Sequence, residues 1–176
     1  MFPKSILLLV VTLTAISAGA EEGKLDVQLK DVKKQSTLII KTKSKKADIG
    51  KELAKIYPKI FAHLAANKIA PSAPIALYTT VDGENFEIQA GVVVPEGAKG
   101  DGEIVASELP GGRAAFTIHT GPYENLSKTY AVVMDWLKTK GEKMAGPSWE
   151  IYVSDPGDTK PEALKTEIYV LVEEKK

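Results

Sequence analysis

The sequence predicts an α+β domain in which one βαββ unit is used twice. The result is an antiparallel sheet with two main helices, a pseudo-twofold axis and a central groove. The first observation is an internal repeat. Shifted by 73 residues, Leu53 falls on Leu126, Tyr57 on Tyr130, Ile60 on Val133, Phe61 on Met134, Leu64 on Leu137 and Pro74 on Pro147. The second is that each copy carries an amphipathic helix pattern followed by a hairpin pattern. Leu77-Tyr78 falls on Ile151-Tyr152 and Phe86-Glu87-Ile88 on Thr166-Glu167-Ile168, once the second hairpin is given a longer loop. The third is length: 176 residues with 44% hydrophobic content suffice for one domain with its own core.

The elements follow in order. Residues 1–20 read as a cleavable secretory signal: a basic start at Lys4, an apolar run from Ile6 to Ile16, and the small residues Ser17-Ala18-Gly19-Ala20 before Glu21. The run would make about 16 Å of helix, short of a bilayer core of about 30 Å. No stable membrane insertion is therefore expected after cleavage, and an exported, periplasmic or secreted protein is. The domain proper is 21–176, with halves at about 32–96 and 102–174. In the first half, Thr37 to Lys43 is rich in β-branched residues and reads as a strand. Ile49, Leu53, Ile56, Ile60 and Leu64 form one face of a helix, with Asp48 as N-cap and a kink expected at Pro58. Ile75–Val81 and Asn85–Val94 flank Asp82-Gly83, a hairpin signal. In the second half, Arg113–His119 is the strand and Gly121-Pro122 opens a helix striped by Leu126, Tyr130, Val133 and Leu137. Gly141 stops that helix, and Trp149–Ser154 with Lys165–Val172 closes the hairpin.

Composition excludes several classes of function. The 23 basic and 23 acidic residues cancel and are mixed along the chain, so neither a nucleic-acid interface nor a polybasic membrane anchor is expected. Without cysteine there is no disulfide, thiolate metal site or cysteine nucleophile. With two histidines, His63 and His119, neither a metal site nor a cofactor is expected. Only about thirty residues precede the first strand, so a helix-turn-helix and direct transcription control are not expected either.

The second half carries four motifs in order: Leu109-Pro110-Gly111-Gly112-Arg113; His119-Thr120-Gly121-Pro122-Tyr123-Glu124-Asn125-Leu126 with Trp136-Leu137; Trp149 to Pro156; and Thr166-Glu167-Ile168-Tyr169-Val170. This pattern resembles the GyrI-like domain, the effector-binding domain of AraC-type and multidrug-responsive regulators, over residues 25 to 174. It departs at Leu171, where proline is expected. The resemblance implies a tandem βαββ fold with a groove between the halves for small aromatic or cationic molecules. It also implies that the glutamate of the Thr-Glu-Ile-Tyr run, Glu167, is the acid in the pocket.

The residues themselves are compatible with that chemistry. Strand alternation turns Glu167 away from Ile168, Val170 and Val172, and turns Glu87 away from Ile88 and Val92, so the two acids are expected to look into one groove. Tyr152, Tyr78 and Trp149 are candidate walls; Glu150, Glu87 and His119 are further candidates. Aromatic area with a carboxylate suits a flat organic cation. The same residues also have ordinary structural readings: a solvated acid on an open sheet face, Trp149 packed under a helix, Tyr123 and Tyr130 packing a helix face, and Lys41, Lys43, Lys45 and Lys46 guarding a strand edge. A binding protein for a small organic molecule is the preferred expectation, and the sequence does not give its oligomeric state. The alternative is a metal-independent hydrolase opening strained cyclopropane-type cytotoxins, since some stand-alone members of the family resemble hydrolases of that kind. There Glu167 with Tyr152 or Tyr169 would be the catalytic pair.

Overall fold

The computed structural model describes residues 25–174; the expected signal segment, 1–20, lies outside the described residues. Among the described residues, eight strands form one antiparallel sheet: β1 Gln28–Val32, β2 Gln35–Lys45, β3 Pro74–Thr80, β4 Asn85–Val93, β5 Val105–Leu109, β6 Gly112–Thr120, β7 Met144–Tyr152 and β8 Lys165–Val172. Two helices, α1 Ile49–Asn67 and α2 Leu126–Lys140, cross over between β2 and β3 and between β6 and β7. Among the described residues no helix is long and apolar enough to cross a membrane.

The strand order β1-β6-β8-β7-β3-β4-β2-β5 carries the repeat. The second unit contributes β6-β8-β7 and the first contributes β3-β4-β2, so the two meet at the β3/β7 pair. Each unit is also preceded by a short strand that was not expected from sequence. These strands are exchanged: β1 pairs with β6 of the other unit, and β5 pairs with β2. Both are five residues long and mostly exposed, with no apolar alternation to announce them.

Strand order also requires the sheet to curl. β5 and β6 stand six positions apart, roughly 29 Å in a flat sheet at about 4.8 Å per strand. Only Pro110 and Gly111 join them, a span of at most about 11 Å between Leu109 and Gly112. β1 and β2 are likewise six positions apart and joined by Lys33-Lys34. The two crossings touch: a Cβ on Gly111 would lie 3.1 Å from the Lys34 backbone nitrogen. Within the curl, a Cβ on Gly91 of β4 would collide with the Leu38 carbonyl of β2, so only glycine lets these strands approach.

Both helices cover one face of the sheet. α1 buries Ile56, Ile60 and Leu64 against Leu38, Ile40, Ile88, Ala90 and Val92. α2 buries Val133 and Leu137 against Ala115, Val170 and Val172. The other face, inside the curl, holds a separate cluster of Ile39, Ile75, Leu77, Leu109, Phe116, Trp149 and Tyr169. α1 runs unbroken through Pro58, which forgoes one backbone bond while the apolar face on either side stays packed. Asp48 makes no capping bond and instead pairs with Lys51 at 3.0 Å. Gly141 ends α2 with φ at 65°, as its position predicts.

Candidate functional site

Register decides which side chains meet. β3 and β7 pair Ile75 with Ile151, Ala76 with Glu150 and Leu77 with Trp149. Glu150 therefore shares the helix-covered face with Ala76, Tyr78 and Tyr152, while Trp149 and Ile151 look the other way. From the helices come Tyr57 on α1 and Tyr130 on α2; Tyr123 comes from the turn ahead of α2. Five of the six tyrosines in the chain thus gather about one carboxylate.

Glu150 is only 3% exposed. The Tyr152 hydroxyl donates to its Oε2 at 2.6 Å, and the Tyr78 hydroxyl lies 3.2 Å from both that oxygen and the Tyr152 hydroxyl. The Tyr130 hydroxyl is buried, facing Ser148 and Glu150, without a hydrogen bond of regular geometry. Tyr57 donates to the Ile75 carbonyl at 3.1 Å, and its ring meets the edge of Tyr152 at a centroid distance of 6.2 Å. Tyr123 meets Tyr152 from the other side at 5.5 Å. Above this nest two rings reach solvent: Phe61, 41% exposed and 6.4 Å from Tyr57, and Tyr123, 37% exposed.

The electrostatics follow from burial. Desolvation pushes the Glu150 carboxyl above its ordinary value, against the opposing pull of the tyrosine hydroxyls, which favour the charged form. Desolvation first, then the Glu150 charge, pushes the hydroxyls of Tyr57, Tyr78, Tyr130 and Tyr152 up, so they remain protonated donors. The result is a desolvated carboxylate walled by rings, a place where a positive charge would be stabilised more than in water.

The expected single groove is divided in two. Tyr78, Glu150, Tyr152 and His119 lie on the helix face, whereas Glu167, Tyr169, Trp149 and Glu87 lie on the opposite face. Glu167 is half-buried and accepts the Tyr169 hydroxyl at 2.8 Å. Tyr169 stacks on Trp149 at 5.0 Å with the planes 4° apart, and Lys30 Nζ stands 4.2 Å over the neighbouring Phe116 ring. Trp149 is core, but inside the curl and not under a helix; with Tyr169, Lys30 and Leu109 it lines a depression of about 200 Å³. Glu87 is exposed and pairs with Lys43 at 3.0 Å, so it shares a face with Glu167 but lies two strands beyond β7, on β4. His119 is buried over α2; its Nδ1 lies 2.8 Å from the Thr129 hydroxyl and its Nε2 lies 3.2 Å from the Pro122 carbonyl, bracing the turn that carries Tyr123. Among the described residues no group of three or more His, Asp or Glu side chains is arranged to hold a metal ion.

Sequence reasoning missed Tyr57 as a site residue and treated Tyr130 as helix packing. The signal was present in the repeat, where Tyr57 falls on Tyr130 and Tyr78 on Tyr152. Two tyrosine pairs repeat across the halves: Tyr78, Tyr130 and Tyr152 turn their hydroxyls toward Glu150, and Tyr57 packs its ring against Tyr152 with its hydroxyl on the Ile75 carbonyl.

Comparison with known proteins agrees with this fold. In structure the chain is similar to the EcmrR C-terminal domain, with a TM-score of 0.74 and 19% identity over 86% of this chain and 99% of that one. The chain spans 58% of the length of EcmrR in its DNA complex. It is also similar to SAV2435 bound to tetraphenylphosphonium, with a TM-score of 0.62 and 12% identity over 84% of this chain and 94% of that one. A hydrolase from Listeria innocua gives a TM-score of 0.60 and 16% identity over 84% and 91%. At these identities the likeness is one of fold. No protein with a curated description matches the chain by sequence. The profile of the GyrI-like small molecule binding domain matches residues 25–173, and the chain belongs to that family.

Proposed function

We propose that the protein binds a small lipophilic organic cation in the nest between the two helices. Glu150 supplies the countercharge, and Tyr57, Tyr78, Tyr130 and Tyr152 supply the walls. The observation that carries this reading is a carboxylate 3% exposed, bonded by tyrosine hydroxyls and paired with no basic side chain in the described residues. A buried acid held this way is costly to ionise alone, and a desolvated cation offsets that cost. Glu150 takes the role expected of Glu167 because Glu167 is only half-buried on the other face and holds a single tyrosine hydroxyl, whereas Glu150 is enclosed by rings from both halves. Tetraphenylphosphonium, to which SAV2435 is bound in its structure, belongs to the class proposed. Entry requires the Tyr57 and Tyr123 rings to turn outward, since they cover Tyr152. The test is calorimetric titration with tetraphenylphosphonium: binding to the native chain, and a loss of about thirtyfold or more in Glu150→Gln, is expected. Equal affinity in the two would overturn the assignment.

A hydrolase is the second reading, favoured by the 2.6 Å contact between Tyr152 and Glu150, since a carboxyl raised by burial beside a phenol suits proton transfer. Its test is turnover of an electrophilic cyclopropane substrate; product beyond one equivalent that is abolished in Glu150→Gln would support it. Export is proposed from residues 1–20, and N-terminal sequencing of the mature protein is expected to begin at Glu21.

A further inference from the structure

We infer that the site selects a ligand whose single positive charge lies at its centre, flanked by apolar lobes on two sides. This inference rests on the reading of the Glu150 nest as the binding site. The register of β3 and β7 sets Ala76 directly opposite Glu150, with Ile75 opposite Ile151, Leu77 opposite Trp149 and Tyr78 opposite Ser148. In the repeat Leu77-Tyr78 falls on Ile151-Tyr152, so Ala76 falls on Glu150, and the pseudo-twofold axis relating the halves passes between these two opposed residues. The aromatic walls obey the same symmetry. Tyr78 lies two residues past Ala76 and Tyr152 two residues past Glu150, while Tyr57 on α1 and Tyr130 on α2 occupy equivalent positions in the repeat. The acid does not obey it: its mate is Ala76, fully buried and uncharged. The nest thus has two like apolar halves and one negative charge placed near their shared axis.

That layout has consequences for the ligand. A molecule with its charge at one end can satisfy Glu150 and fill one tyrosine pair, leaving the other without contact. A molecule charged at its centre fills both. A dication would bury a second charge where the mate of Glu150 supplies no acid, at a large desolvation cost.

Two measurements test this. The first, on the unmodified protein, compares tetraphenylphosphonium with a single-tailed alkyltrimethylammonium of similar apolar area and with a bis-trimethylammonium alkane. The central cation is expected to bind at least about tenfold more tightly than either. The second moves the acid across the axis. Glu150→Ala is expected to abolish binding of tetraphenylphosphonium, and adding Ala76→Glu to that variant is expected to restore affinity to within about tenfold of the native chain. Cross-strand partners have Cβ atoms about 5 Å apart, so the relocated carboxylate reaches the same rings with total side-chain volume unchanged. Equal affinities across the three cations overturn the inference, as does a folded double variant that stays inactive while Glu150→Ala has lost binding. If the double variant does not fold, the cation series decides alone. If Glu150→Gln leaves tetraphenylphosphonium binding unchanged, the site reading itself falls, a result distinct from the other two.

Discussion

Two neighbouring strands carry the same tetrapeptide. Glu150-Ile151-Tyr152 ends β7 with Val153 just beyond it, and Glu167-Ile168-Tyr169-Val170 lies within β8. In both, the tyrosine two residues on donates to the glutamate, at 2.6 Å in the first and 2.8 Å in the second. Their surroundings nevertheless differ completely. The pairing of β7 with β8 sets Glu150 opposite Ile168 and Ile151 opposite Glu167, an offset of one residue. Because side chains alternate, that offset sends one Glu-Tyr pair under the helices and the other into the curl of the sheet. The first is enclosed by rings from both halves; the second is half-buried beside the Trp149–Tyr169 stack. Identical local chemistry thus becomes a buried, ring-walled pair on one face and a half-buried one on the other.

Breaking the second face should cost stability and leave binding intact. Trp149→Ala removes a fully buried ring from the curl and is expected to lower the unfolding free energy by about 3–5 kcal/mol in urea titrations, while the folded fraction keeps its cation affinity. Loss of affinity in that fraction would show that the two faces are not independent.

Breaking the first face should do the reverse. Glu150→Gln is expected to cost about 2 kcal/mol of cation affinity or more, and Glu167→Gln less than about 0.5 kcal/mol, each read by calorimetry. Comparable losses would erase the distinction drawn from the β7/β8 register.

The pH dependence sharpens the contrast. Burial raises the native Glu150 carboxyl, so the folded state retains its proton after the unfolded state, near pH 4.3, has released it. Stability of the unliganded protein should fall as pH rises through the window between those two values. Glu150→Gln should remove the fall and melt higher at neutral pH. Cation affinity should decline as pH drops through the raised native value, since the protonated acid is no countercharge.

The smallest effect is expected at the exposed rim, where Glu87→Gln breaks the 3.0 Å pair with Lys43 and should change stability by about 0–1 kcal/mol, diminishing with added salt. A larger change would mean that Glu87 takes part in the chemistry of its face.

Much of this molecule was legible before any coordinates. The 73-residue repeat, the helix stripe Ile56-Ile60-Leu64 and the Asp82-Gly83 hairpin are local or periodic signals, and each reappears where it was read. Alternation also turned Glu167 away from Ile168 and Val170, as the structure has it. The short exchanged strands β1 and β5 were not legible, because their five residues carry no alternating apolar face and owe their conformation to partners in the other half. Nor was the division of the acids between two faces.

The sequence alone determined composition, periodicity, the twofold use of one unit and the pool of carboxylates and rings from which a site could be built. Only the tertiary structure decided which members of that pool meet. Strand parity is defined within one strand, whereas a shared face between strands depends on register, and a one-residue offset reverses it. That offset between β7 and β8 put Glu150, and not Glu167, on the helix-covered face, where Tyr57 of α1 and Tyr130 of α2 join Tyr78 and Tyr152.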